Sequence, residues 1–318
     1  MLTYALFIIG FVFLVKGADL LVDGSASIAK KLNVPSIVIG LTIVAFGTST
    51  PELIVNIIAS AKGNTEIAIG NIIGSNIFNI LFILGISAAI CPLTTKKNTV
   101  WKEIPLSLLA AVLLAIMAND GRIEGGSFSG LSMIDGFIFI AFFVIFLHYT
   151  LGLAKAAGES DGGPAKVLNY TVSSAYIVIG LLGLVIGGKW IVDGAVKIAQ
   201  SFGVSESLIG LTIVAAGTSL PELATSAVAA YKKQMDIAIG NVVGSNIFNI
   251  FWVLGVSSII RPLPFSASSD IDNFMNIFAS AILFAIMFIG KKHIVERWQG
   301  ILMLLIYVGY VVFLVLNK

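Results

Sequence analysis

The stretch IGLTIVAFGTSTPEL occupies residues 39–53, and IGLTIVAAGTSLPEL recurs at 209–223. The same shift of 170 residues lays IAIGNIIGSNIFNI (67–80) on IAIGNVVGSNIFNI (237–250). Between 39–92 and 209–262 the ungapped match gives 32 identities in 54 positions. It also pairs Val22, Asp23 and Gly24 with Val192, Asp193 and Gly194. The chain is therefore written twice, and each copy sets a proline and a glutamate inside an apolar run.

Those apolar runs decide the fold class. Of 318 residues, 58% are hydrophobic and 11% charged, with a mean hydropathy of +1.01, which excludes an ordinary soluble domain. A helix needs ~20 residues to cross roughly 30 Å of hydrocarbon. Runs near or above that length fall at about 2–29, 35–61, 65–90, 100–118, 131–153, 172–200, 205–231, 235–260, 272–290 and 298–316. Beta-barrel alternation is absent, so the expected fold is an all-α integral membrane protein of ten transmembrane helices. Five spans per copy is an odd number, and the second copy then enters the membrane from the opposite side. The expected organisation is two inverted five-helix repeats, 1–153 and 172–318, joined by a Gly-rich linker at 154–171.

Charge placement gives an orientation. Loops 1/2, 3/4, 5/6, 7/8 and 9/10 carry twelve Lys and Arg residues (Lys30, Lys31, Lys96, Lys97, Lys102, Lys155, Lys166, Lys232, Lys233, Lys291, Lys292 and Arg297). The other face has five: Lys62, Arg122, Lys197, Arg261 and Lys318. The positive-inside rule then predicts a multi-pass protein of the cell membrane with a cytoplasmic linker and both termini extracellular. The opening MLTYALFIIGFVFLV has no basic leader and is expected to stay as the first span. Cys91 is the single cysteine, so neither an intrachain disulfide nor a thiolate metal site is expected. The net charge of +2 sits in loops flanking the membrane and does not point to nucleic acid. No cofactor and no obligatory protein partner is indicated; the expected partners are the bilayer and small ions.

The repeated motifs carry chemistry. Ala45, Thr48, Ser49 and Glu52 fall at i, i+3, i+4 and i+7, a polar helical stripe within an apolar span. Pro51 lacks an N–H and crowds the Gly47 carbonyl, so carbonyls around 45–48 are expected to leave the helical ladder and to need a donor or a cation. In the next span Asn71, Ser75 and Asn79 form a second stripe, with Gly70 and Gly74 expected to admit a neighbouring helix. The second copy supplies Ala215, Thr218, Ser219, Glu222, Asn241, Ser245 and Asn249. A mid-membrane glutamate costs several kcal/mol to bury, and Glu52 and Glu222 are read as functional on that ground. Carboxylate, hydroxyl, amide and carbonyl oxygens without His or Cys suit hard cations such as Ca²⁺ and Na⁺. Two ionised glutamates balance one Ca²⁺ or two Na⁺. Lys16 with Asp19, and Lys189 with Asp193, are spaced to pair or snorkel. His148 and His293 stand alone.

These motifs, GTSTPE with GTSLPE and GNIIGSNIFN with GNVVGSNIFN, resemble the paired alpha-repeats of the calcium/cation antiporter superfamily, and within it the prokaryotic sodium/calcium exchangers. The resemblance implies a ten-helix antiporter, not an enzyme, with four ion sites between spans 2, 3, 7 and 8. Glu52 and Glu222 would be shared by Ca²⁺ and Na⁺, joined at calcium by the Thr48 and Thr218 carbonyls. The Ala45 and Ala215 carbonyls with the Ser49, Ser75, Ser219 and Ser245 hydroxyls would bind sodium, and Asn79 and Asn249 would complete the middle. Spans 1 and 6 look like the family's sliding gate. An acid in place of Asn249 is typical of the potassium-dependent branch, so Asn249 points away from potassium coupling. Sodium/calcium antiport, calcium/proton exchange and a cation channel remain the readings to separate. An intramembrane hydrolase is disfavoured, since neither a Ser/His pair nor HExxH is present.

Overall fold

The computed structural model describes residues 2–125, 129–156, 167–202 and 215–316. Its helices are α1 (Leu2–Leu32), α2 (Ser36–Thr48), α3 (Thr50–Lys62), α4 (Thr65–Ile90), α5 (Thr99–Ala118), α6 (Met133–Ala156), α7 (Tyr170–Ser201), α8 (Ala215–Thr218), α9 (Leu220–Tyr231), α10 (Met235–Ile260), α11 (Ala267–Ile286) and α12 (Arg297–Leu316). Among the described residues eight single helices are long and apolar enough to cross a membrane, and α2 with α3, bent by 46°, make a ninth. The protein is thus an all-α, multi-span membrane protein. The first part of the expected seventh span, through residue 214, and residues 157–166 of the expected linker lie outside the described residues.

Expected and observed spans agree closely at 65–90 and 235–260, which are α4 and α10 to the residue. The ninth span is displaced. It was expected at 272–290, whereas α11 starts at Ala267, because the Ser266 hydroxyl accepts from the Ser269 N–H at 3.3 Å and caps the helix early. It ends at Ile286, and the chain turns through Gly290 at φ 75°. Two ladders of two residues per strand were not foreseen: β1 (Leu93–Thr94) pairs with β4 (Ile294–Val295), and β2 (Gly130–Leu131) with β3 (Leu263–Pro264).

α4 and α10 form the centre of the bundle, with 78% of an 18-residue stretch of each buried. Both widen into π turns, Phe78–Ile83 and Asn249–Leu254, a distortion that re-aims side chains and recurs at functional positions. The lipid-facing shell contrasts with this: in α12, 17% of the span is buried, and Leu305, Val308 and Val312 point outward.

α1 and α7 pack along their length. Gly10 meets Gly187, Gly17 meets Gly180 and Gly24 meets Ser173. Partner numbers fall as α1 numbers rise, so the two helices run antiparallel. A Cβ at Gly17 would lie 2.8 Å from the Gly180 carbonyl oxygen, and one at Gly187 would lie 2.7 Å from that of Gly10. Only small residues permit such an approach. The glycines recur every seventh residue in both helices, at 10, 17, 24 and at 180, 187, 194, one face of a helix packed at a shallow angle.

Loop contacts sort into two faces. On one, the Tyr170 hydroxyl donates to the Lys31 carbonyl at 3.4 Å, Thr95 N–H donates to the His293 carbonyl at 2.9 Å, and β1 pairs with β4. On the other, Arg122 pairs with Asp270, Lys197 donates to Thr3, and β2 pairs with β3. The expected pairing of Lys16 with Asp19 is replaced by a longer-range one. Lys232, at the end of α9, lies 2.6 Å from Asp19 and 2.6 Å from Asp23, which are one turn apart on α1. Lys189 and Asp193 do pair, at 3.2 Å on the surface. Lys232→Gln leaves two adjacent carboxylates without their cation. For these part-exposed groups the expected loss is about 1 kcal/mol, shrinking in 0.5 M salt, which thermal melts at two ionic strengths will read.

Candidate functional site

The two PE motifs break their helices in the same way. Ser49 (φ −83°, ψ 7°) interrupts the run between α2 and α3, and Ser219 (φ −89°, ψ 7°) between α8 and α9. Pro51 and Pro221 follow at the first positions of α3 and α9, where a missing N–H costs nothing. Glu52 and Glu222 therefore stand in the first turn of their half-helices. There the positive end of the helix dipole favours a carboxylate. Both are fully inside the protein, 0% and 1% exposed, and close enough to interact with each other.

The hydrogen bonds cross between the two copies. The Ser49 hydroxyl donates to Glu222 Oε1 at 2.8 Å, and the Ser219 hydroxyl donates to Glu52 Oε1 at 3.0 Å. Thr48 donates to Asn241 Oδ1 at 3.0 Å, and Thr218 to Asn71 Oδ1 at 3.3 Å. The Asn71 amide donates to Asn56 Oδ1 at 2.7 Å and that of Asn241 to the Ser226 hydroxyl at 2.9 Å. Asn71 and Asn241 therefore spend both ends of their amides on the scaffold. α3 packs against the π turn Asn249–Leu254, and α9 against the π turn Phe78–Ile83, so each glutamate helix leans on the amide turn of the other copy.

Among the described residues fifteen buried side-chain polar atoms have no protein hydrogen-bond partner, and six of them fall into three pairs 170 residues apart: Glu52 and Glu222 Oε2, Ser75 and Ser245 Oγ, Asn79 and Asn249 Oδ1. Buried polar atoms are nearly always satisfied, so a set of orphans duplicated by the repeat marks where ligating capacity is kept. Carboxylate, hydroxyl and amide oxygens match the donors a hard cation takes.

The remaining expected ligands are placed as follows. The Ala45 carbonyl has not left the ladder, because it accepts from the Ser49 N–H at 3.0 Å. The break falls at Ser49, after the loosened stretch 45–48 that Pro51 and Gly47 suggested. Ala215 begins α8, and Thr218 ends it, half-buried. Gly240 and Gly244 approach α2 closely: a Cβ on Gly244 would lie 2.7 Å from the Leu41 carbonyl oxygen. No described residue does the same at Gly70 or Gly74, and the matching segment, 207–211, lies outside the described residues.

Asn56, Asn76, Ser226 and Asn246 were not singled out from the sequence, although GSN appears in both copies. Asn76 sits one residue off the Asn71, Ser75, Asn79 stripe, whose i, i+4, i+8 spacing passes over it although it is an i, i+3 neighbour of Asn79 on the helix surface.

Two half-helix carboxylates and a duplicated set of buried oxygens, inside a multi-span bundle, define a membrane protein built to handle cations. The model of the sodium/calcium exchanger protein family matches residues 2–152 and 172–316, and the chain belongs to that family. It is 33% identical over 349 residues to the sodium/calcium exchanger MaX1 of Methanosarcina acetivorans, covering 98% of each chain. With the uncharacterized membrane protein MJ0091 of Methanocaldococcus jannaschii it shares 38% identity over 304 residues, covering 95% of this chain and 94% of that one. The solved structure of the sodium-calcium exchanger NCX_Mj soaked with Na⁺ and Ca²⁺ superposes with a TM-score of 0.85 at 36% identity over 98% of each chain.

Proposed function

We propose that this exchanger is a secondary antiporter that moves Ca²⁺ against Na⁺ across the cell membrane by alternating access. The ions bind at mid-membrane between α2/α3, α4, α8/α9 and α10. The observation that carries the reading is the duplicated set of six buried oxygens around Glu52 and Glu222. Ca²⁺ takes about six to eight oxygens in a flexible shell, and the orphan side-chain atoms with nearby carbonyls supply that number. The two carboxylates balance either one Ca²⁺ or two Na⁺, and a shell that cannot hold both loads at once couples their movements. The sodium-calcium exchanger NCX_Mj, solved after soaking with Na⁺ and Ca²⁺, gives the proposal its ion pair by analogy.

In this proposal the ligands are Glu52 and Glu222 for both ions, the Thr48 and Thr218 carbonyls for calcium, and the Ser49, Ser75, Ser219 and Ser245 hydroxyls with the Ala45 and Ala215 carbonyls for sodium. Asn79 and Asn249 close the centre. The 170-residue repeat, the antiparallel run of α1 and α7 and the crossed hydrogen bonds support a ten-span layout of two inverted five-helix repeats. Such repeats carry mid-membrane sites at broken helices. The excess of lysine in loops 1/2, 5/6 and 7/8 supports extracellular termini.

Calcium-45 uptake into proteoliposomes tests the counter-ion. An outward sodium gradient should drive uptake at least tenfold above the gradient-free rate, and a proton gradient without sodium should not. Uptake driven by protons alone would make the chain a calcium/proton exchanger, and conductance without any opposing gradient would make it a channel.

A further inference from the structure

Asn76 and Asn246 lie beside the proposed ion shell and are not among its ligands, yet they are 1% exposed and wholly committed to the opposite copy. The Asn76 amide donates to the Asn246 backbone carbonyl at 3.2 Å, and the Asn246 amide donates to the Asn76 carbonyl at 3.2 Å. Their side-chain oxygens accept in turn: Asn249 Nδ2 donates to Asn76 Oδ1 at 3.0 Å, and Asn79 Nδ2 donates to Asn246 Oδ1 at 2.9 Å.

The orientation of all four amides follows from this arrangement. A carboxamide oxygen and nitrogen are told apart only by their partners. A backbone carbonyl can only accept, so the atom of Asn76 facing the Asn246 carbonyl must be the nitrogen, and its other atom must be the acceptor. That acceptor compels Asn249 to offer its nitrogen. The Asn249 oxygen is then left facing away, and it is one of the buried orphans. The same chain of constraint runs from the Asn76 carbonyl through Asn246 to the orphan oxygen of Asn79.

We infer that Asn76 and Asn246 are positioning residues of the ion site, each holding the central asparagine of the other repeat with its oxygen, and not its N–H₂, presented to a hard cation. This rests on the proposed site, and deepens it by stating what fixes the polarity of its middle. Without the acceptor at 76, the Asn249 amide is free to rotate by 180° and present two N–H donors. Those donors repel a cation where the oxygen attracts it. Because the hold acts in trans, the two halves are linked at the site itself by a closed ring of amides.

The test is calcium and sodium binding to purified protein in detergent, by calcium-45 retention and sodium competition, with Tm measured in ion-free buffer as a separate readout. Asn76→Leu keeps the volume and removes the acceptor. The calcium Kd is expected to rise about tenfold, or about 1.4 kcal/mol, with Tm changed far less than a packing defect would require. Asn76→Asp in its protonated form keeps both the acceptor for the Asn249 amide and a donor for the Asn246 carbonyl, and at a pH that protonates it the Kd is expected to stay within threefold of wild type. Double-mutant cycles should couple 76 with 249, and 246 with 79, while 76 with 79 and 246 with 249 add independently. Equal losses in Asn76→Leu and Asn76→Asp, or coupling within a repeat in place of coupling across it, overturn the inference. A wild-type protein that binds neither ion overturns the proposed site and this inference together.

Discussion

Glu52→Gln and Glu222→Gln should each weaken calcium binding by at least about a hundredfold, and should raise Tm in ion-free buffer. The two signs arise from one cause. With both carboxylates ionised the buried site carries −2, and a bound Ca²⁺ is neutralised. With one glutamine, a +2 ion meets a single negative charge where water is excluded, and an uncompensated buried charge costs several kcal/mol. A hundredfold loss corresponds to about 2.7 kcal/mol, at the low end of that range. The geometry adds to the loss. Ser219 already donates to Glu52 Oε1, so a glutamine at 52 keeps its oxygen there and turns its N–H₂ to the position of the orphan Oε2. The empty protein responds in the opposite direction, because two interacting, fully buried carboxylates are the costly arrangement and one of them has been removed. Calcium-45 binding and ion-free thermal melts of both variants decide the matter. Binding within threefold of wild type in both variants would remove these glutamates from the site, and a drop in Tm would show that their role is structural.

The parts of the molecule legible in the sequence are those written in short-range pattern. Spans 65–90 and 235–260 stood out because they carry no charged residue after Glu66 and Asp236 and end in polar loops. The PE motifs were legible because a proline and an acid in an apolar run have few structural explanations, and their duplication removed most of those. The position of the break was less so: Pro51 was read as loosening 45–48, while the chain bends at Ser49, since a proline in the first turn of α3 starts that half-helix without distorting the one before it. The partners of Asp19 and of Ser49 depend on which helices touch, and no local spacing encodes that. Asn76 was passed over because the stripe was drawn at i, i+4, i+8, which leaves out the i, i+3 neighbour of Asn79. The seven-residue glycine spacing of α1 and α7 was present in the sequence, but it gains meaning only when the helices are known to lie side by side.

That glycine face gives the second large expected effect. Gly17→Leu should cost about 3 kcal/mol or more, the upper range for overpacking a close-packed interior, and lower Tm by roughly 4–5 °C or more for a chain of 318 residues. At Gly17 even the first added carbon would meet the Gly180 carbonyl oxygen at 2.8 Å and the Leu184 nitrogen at 2.8 Å. Both are backbone atoms, so no side-chain rotation relieves the contact and the helices must separate. Separation at this point also pulls apart Gly10 from Gly187 and Gly24 from Ser173, because the same two helices touch at all three points. Gly309→Leu is the matched control, since no described residue lies within 4 Å of a Cβ there, and it should melt within about 2 °C of wild type. The calcium Kd of folded Gly17→Leu protein should stay within threefold of wild type, as the proposed ligands sit on α2, α3, α4, α8, α9 and α10, whereas transport should fall at least tenfold if the α1 and α7 pair must move as one body between access states. A Gly17→Leu protein that melts like the control would refute the close packing of these two helices. One that melts low but transports at the wild-type rate per folded molecule would separate their packing from the transport cycle.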